Sequence, residues 1–411
     1  MKYLFLLGLL LSLPVFGWCQ ENPLERIVLE DDSLRQVISN PAHQVQIIYT
    51  RIDRDRQNVP GFTTFSYGLD STLYFYPAST VKMPAAALAL EKLNQLHIRG
   101  LDRDDRMVTG AATPPQTAVE VDSSAADLRP TIAHYIKKIF LVSDNDAYNR
   151  LYEFLGQGYL NQRLHDKGYD RTRIIHRLSV SGYDTLGNRL TNPVSLYDGE
   201  ELRYHQGEVY SAFYPDLGLR RQIRGKGYID GSGELIAGEP FDFRYKNYVA
   251  LTDLHDMLQA LLFPHAVRAE ARFNLTEDDY QFLYRYMYHY PREVEEPAYP
   301  NLTEWDAYVK FLYFGSERGT LDSPVRSLNK VGDAYGFLTD VAYIFNPETG
   351  TEFILVANIH VNENQIFNDG NYEYEDIGFP FLKRLGRLLY QYDEQRPRRR
   401  QADLSRFIPQ Y

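Results

Sequence analysis

Hydrophobic positions change their period twice along the chain. Over residues 24–38 they recur with helical spacing, and then Val45, Ile47 and Tyr49 alternate with polar residues toward Asp53, as in a strand. Turn residues fill 54–61 and β-prone chemistry resumes over 62–67, so two antiparallel strands are predicted near the start. From Met83 through Leu90 the chain is apolar nearly all round, which predicts a helix buried between layers, with Pro84 tolerable in its first turn. Helices are predicted over 131–155 and 253–263, and Thr276 with Asp279 predicts a capping pair opening a helix on which Tyr280, Leu283, Tyr284 and Met287 share a face. Strand patterning returns over 328–333, 337–345 and 352–360, with Asn346-Pro347-Glu348-Thr349-Gly350 as a turn and a closing helix near 377–392. Two strands at one end and three at the other, with helices between, imply one antiparallel sheet whose halves meet in space.

Composition narrows the setting. The 411 residues are 44% hydrophobic and 24% charged, enough for a sizeable core, and no internal stretch reaches the apolar length of a membrane span. Residues 1–19 read as a secretory signal: Lys2 supplies the charge, 4–16 are apolar, and Gly17 and Cys19 precede Gln20, so the protein is expected in the periplasm or outside the cell. Bulky Trp18 disfavours lipid attachment at Cys19, the only cysteine, so the mature chain is expected to lack disulfides and thiol chemistry. Ten scattered histidines give no metal-ligand spacing, and neither a metal nor another cofactor is expected. A net charge of −11 argues against a nucleic-acid partner, and the cluster Arg396, Arg398, Arg399 and Arg400 reads as part of a solvated basic tail over 396–411. Residues 183–247 read as an insertion, with 220–227 and the Asp230-Gly231 turn predicting a hairpin. The 33 tyrosines are read first as core packing, with a Tyr-lined wall for a glycan or peptide as the alternative.

Candidate chemistry starts at Ser79-Thr80-Val81-Lys82, where a hydroxyl and an amine stand one turn apart at a predicted helix start. Residues three apart share a helix face, and the positive helix end favours negative charge developing at the serine. The pattern alone is weak, because Ser327-Leu328-Asn329-Lys330 repeats it inside a predicted strand. Two further elements follow in order: Ser143-Asp144-Asn145, and Lys330-Val331-Gly332. The ordered set S-x-x-K, S-D-N and K-T-G resembles that of class A β-lactamases and penicillin-binding proteins, with Val331 in place of the hydroxyl residue.

That resemblance implies an α/β fold of the α+β type: a β-lactamase-like fold with a five-stranded antiparallel sheet flanked by helices, plus an all-helical lobe, the active site lying between. It implies a single bilobal catalytic domain over 20–395, with the sheet lobe about 23–78 and 326–395 and the helical lobe about 79–325. The implied activity is hydrolysis of a β-lactam or a cell-wall-peptide type of amide or ester through an acyl-enzyme at Ser79. Lys82 is then the general base, Ser143 a proton relay and Asn145 a substrate contact, with Asp144 bracing the loop. Lys330 provides the cation, Gly332 close approach of substrate, and the backbone N–H of Asp333 joins that of Ser79 as an oxyanion hole. Helix capping is the competing account of Ser79 and of Ser143 to Asn145. A binding protein without turnover is the competing account of the whole. The Glu-x-x-Leu-Asn element expected downstream is not recognisable; 171–179 holds no carboxylate, and Asp184, Asp198 and Glu200 fit no matching pattern.

Overall fold

The computed structural model describes residues 22–409, so the predicted signal, with Cys19, lies outside the described residues. Strands β1 (Gln46–Arg54), β2 (Pro60–Tyr67), β3 (Arg326–Ala334), β4 (Phe337–Asn346) and β5 (Thr351–His360) form one sheet in the order β3-β4-β5-β1-β2, antiparallel throughout. The expected meeting of the two halves is the pairing of β1 with β5, where Ile47 stands opposite Ala357. Alternation divides the side chains cleanly. Phe353, Leu355, Ala357 and Ile359 enter one apolar cluster, while Ile354 and Val356 enter another.

The first cluster is closed by the terminal helices α1 (Pro23–Glu30), α2 (Asp32–Ile38) and α10 (Phe379–Gln395). The second is shared with the helical lobe: α3 (Lys82–Leu96), α4 (Ile132–Val142), α5 (Asn145–Leu155), α6 (Gln157–Asp166), α8 (Leu251–Leu262) and α9 (Glu277–Tyr288), while the short α7 (Thr185–Arg189) lies outside it. The fold is of the α+β type, one antiparallel sheet with helices on both faces. Every residue of α3 from Lys82 to Glu91 is buried, as its unbroken apolar face requires.

Two predicted helices each divide. Asp31 is extended and its carboxylate accepts from Leu34 N at 3.0 Å, capping α2 and ending α1. Ser143 adopts a left-handed conformation, φ 58°, which ends α4, and Asp144 then caps α5. The capping box of Thr276 and Asp279 forms at α9. Within the insertion, Gly227–Ile229 and Leu235–Ala237 make the expected hairpin, which also pairs in parallel with Ile366–Phe367. The basic tail is not solvated as expected. Arg396 and Arg398 both donate to Asp393, a carboxylate with no exposure that also accepts from Tyr49 Oη, while Leu404 and Phe407 enter the core. A buried carboxylate needs such partners, and hydropathy along a tail does not reveal it. Among the described residues no helix is long and apolar enough to cross a membrane.

Candidate active site

A cavity of about 1070 Å³ lies where β3 faces the helical lobe, and Ser79, Ser143, Asn145, Val331 and Asp333 all line it. Ser79 stands in a tight turn (Ala78–Val81) just before α3, whose first residue is Lys82. This turn lies directly against β3. A Cβ at Gly332 would come within 2.4 Å of Pro77 O and 2.9 Å of Ser79 N, so the glycine expected to admit substrate instead admits the chain's own backbone. Ala78, Ser143, Ser179 and Tyr335 line the cavity and all have positive φ, so strained backbone is concentrated there.

Lys82 is fully buried. Its Nζ donates to the Ser143 carbonyl, to Ser143 Oγ at 3.3 Å and to Asn145 Oδ1 at 2.7 Å. Ser79 Oγ is not among its hydrogen-bond partners, so the pair expected from spacing alone is joined by burial on one turn rather than by a direct bond. Lys330 Nζ reaches the same Ser143 Oγ at 2.7 Å and its neighbour's carbonyl, Val331 O, at 2.9 Å. One serine hydroxyl therefore stands between two buried amines. Burial, and then the charge of Lys330, push the Lys82 ammonium well below its ordinary range. Burial brings Lys330 down to about 7, against the opposing pull of Asp333 and Asp340.

Asn145 uses its amide nitrogen to hold Ser179 Oγ at 3.0 Å, tying the 171–189 loop to the site. The loop is anchored by Arg177, whose guanidinium meets the Glu153 carboxylate at 3.0 Å with both side chains buried. His176, stacked on Tyr76 with rings 6.1 Å apart, is driven by burial down to about 3 and stays neutral at ordinary pH. Asp184 lines the cavity, but its carboxylate caps α7 by accepting from Gly187 N at 2.7 Å. Glu200 lines a separate depression with Arg106 and Arg129.

Residues 31–213 match the model described as the beta-lactamase enzyme family, a stretch that holds Ser79, Lys82, Ser143 and Asn145 but ends before Lys330. That stretch is less than half of the chain. Similar solved structures include a β-lactamase from Sphaerobacter thermophilus, 14% identical over 91% of this chain and 98% of that one, TM-score 0.46. A β-lactamase from Chitinophaga pinensis is 12% identical over 90% and 99%, TM-score 0.48. A structure titled PBP-A is 15% identical over 90% and 96%, TM-score 0.46. No curated protein matches the sequence.

The structure brings together Ser79, Lys82, Ser143, Asn145, Lys330, Gly332 and Asp333. Val331 does more than lack a hydroxyl. It is buried in the apolar cluster of the terminal helices, on the strand face opposite Lys330. Asp333 shares that face one pleat further on, is exposed at the cavity, and makes no hydrogen bond or ion pair among the described residues. Although open to solvent, its carboxyl is surrounded by protein on most sides, which raises its pKa, while Lys330 and Lys82 oppose the rise. Sequence reasoning missed Ser179 and the aromatic wall of Trp305, Tyr308, Tyr335 and Tyr374. The tyrosine count was the only signal for that wall; of the 33 tyrosines, 13 are buried in the core.

Proposed function

We propose that this chain is an exported serine hydrolase that cleaves a β-lactam or a related amide or ester through an acyl-enzyme at Ser79. The observation that carries the reading is the shared hydrogen bonding of the three motifs: Lys82 and Lys330 converge on Ser143 Oγ, and Lys82 also meets Asn145, beside the cavity that holds Ser79. A buried amine next to a second amine favours the neutral form, which is the form able to take a proton. In acylation Ser79 Oγ bonds to the substrate carbonyl carbon and its proton passes to Lys82 Nζ. Lys82 then returns a proton to Ser143 Oγ as the Ser143 hydroxyl proton moves to the leaving group, so the leaving bond breaks with the charges balanced. Asn145 keeps a second N–H for substrate, and the N–H groups of Ser79 and Asp333 serve the developing oxyanion, each such donor contributing about 3 kcal/mol. No cofactor enters these steps.

Intact-mass analysis of the mature protein with penicillin over time tests the reading. An adduct on the wild type that is absent from Ser79→Ala is the expected result; equal labelling of both would remove Ser79 as nucleophile. A persistent adduct would mark a penicillin-binding protein or a slow amidase or esterase rather than a lactamase. One observation favours that second reading: Asp184, the acid of the 171–189 loop that reaches the cavity, is already committed to capping α7.

A further inference from the structure

Charge is unevenly distributed along the cavity. The cations that line it, Arg177, Arg189 and Lys246, come from the loop and insertion side, where Asp184 is the one lining acid, whereas the sheet side presents Asp333 and Glu375, both exposed. The half-buried rings of Tyr308 and Tyr374 line the same cavity, each close enough to Asp333 to feel its charge. Trp305, on the same wall, already carries the Arg318 guanidinium at 3.9 Å from its ring centroid. The wall therefore accepts a cation where the chain itself supplies one. Val331, which lines the cavity, offers no hydroxyl to a substrate carboxylate. A carboxylate placed beside Asp333 would meet like charge and find no donor on this strand face.

We propose that the substrate carries a cationic group, an ammonium or guanidinium, that docks against Asp333 and Glu375 beside Tyr308 and Tyr374, next to the bond attacked by Ser79. Attraction to an aromatic face adds to the ion pair once both are shielded from water. The unpartnered state of Asp333 is then the free form of a binding site, completed by the ligand. This inference rests on the serine-hydrolase reading for its position and extends it to substrate class.

The test uses aryl esters matched in shape that bear an ammonium, a methyl or a carboxylate substituent, placed in one series on the acyl group and in a second on the leaving group. In one series at least, kcat/KM should fall about tenfold from ammonium to methyl and again to carboxylate. Asp333→Asn should collapse the ammonium-to-carboxylate ratio whatever it does to absolute turnover, and Glu375→Gln should reduce it by a smaller factor. Equal rates across both series, or an unchanged ratio in Asp333→Asn, would overturn the proposal. If no ester acylates Ser79 the hydrolase reading fails separately, and binding decides the present one. Titration calorimetry should then show benzylammonium binding the wild type more tightly than phenylacetate does, with the gap lost in Asp333→Asn; the opposite order would overturn it.

Discussion

Replacing Gly332 by alanine tests whether the close seating of β3 on the serine turn sets the site. The added methyl would lie 2.4 Å from Pro77 O, 2.9 Å from Ser79 N and 3.0 Å from Thr80 N, all backbone atoms that no rotamer change can clear. Restoring an ordinary separation of 3.4 Å to Pro77 O moves the turn by about 1 Å, the difference between 3.4 and 2.4 Å. Overpacking on this scale costs about 1–3 kcal/mol of stability. A misplacement of about 1 Å at a nucleophile costs about 10²-fold in rate, or ~2.7 kcal/mol of activation free energy. Urea denaturation reads the first quantity and time-resolved labelling with a fluorophosphonate reads the second. Gly207→Ala is the control, because a Cβ there meets nothing within 4 Å. A folded Gly332→Ala protein that labels as fast as the wild type would refute the reasoning, since the strand would then not hold the turn in place.

Other outcomes follow from the same geometry. Lys82→Ala should slow labelling nearly as much as Ser79→Ala abolishes it, and the double variant should be no worse than the worse single one, because the residues act as a unit. Lys310 is buried with its Nζ bonded to Met287 O, Ser327 O and Asn329 Oδ1, and burial brings it, like Lys330, to about 7. Between about pH 7 and 10.5 the unfolded chain holds protons that these native lysines have released, so stability should rise with pH across that window. Urea denaturation of Lys310→Met should show a flatter rise and a loss of about 2 kcal/mol at pH 8, where the neutral amine has two N–H groups to give to its acceptors. Substituting Asp184 by Asn should slow release of a penicilloyl adduct if that acid supplies the base, whereas Glu200→Gln should leave release unchanged; the reverse order, read by intact mass, would contradict the cavity assignment.

Much of the fold was legible because period carries it. The strands over 328–333, 337–345 and 352–360 lie within the observed elements, and the Thr276 capping pair was written in four residues. Breaks inside helical patterns were less legible. Asp31 and Ser143 interrupt α1–α2 and α4–α5 through a cap and a left-handed backbone, neither of which disturbs the hydrophobic period. For the site, ordered motifs showed which residues meet. They did not show that Lys82 engages Ser143 and Asn145, or that Gly332 makes room for Pro77 and Ser79. Those facts depend on how distant backbones approach each other. Lys310, Asn329 and Asp340 form a buried polar network behind β3 that sequence reading passed over, since a buried lysine and a surface lysine look alike until partners 17 to 23 residues away are placed.

The sheet order also dictates when the candidate site can assemble. β1 is made long before its partner β5 and the strand bearing Lys330. Until then the edge of β1 facing the missing strand is unpaired, and the Ser79 turn has no β3 to rest against. Long-range pairing of this kind is slow to form and leaves partly made chains exposed to aggregation. A chain can therefore carry Ser79 through that interval without the surroundings proposed to activate it. Completion of the sheet is what brings them together.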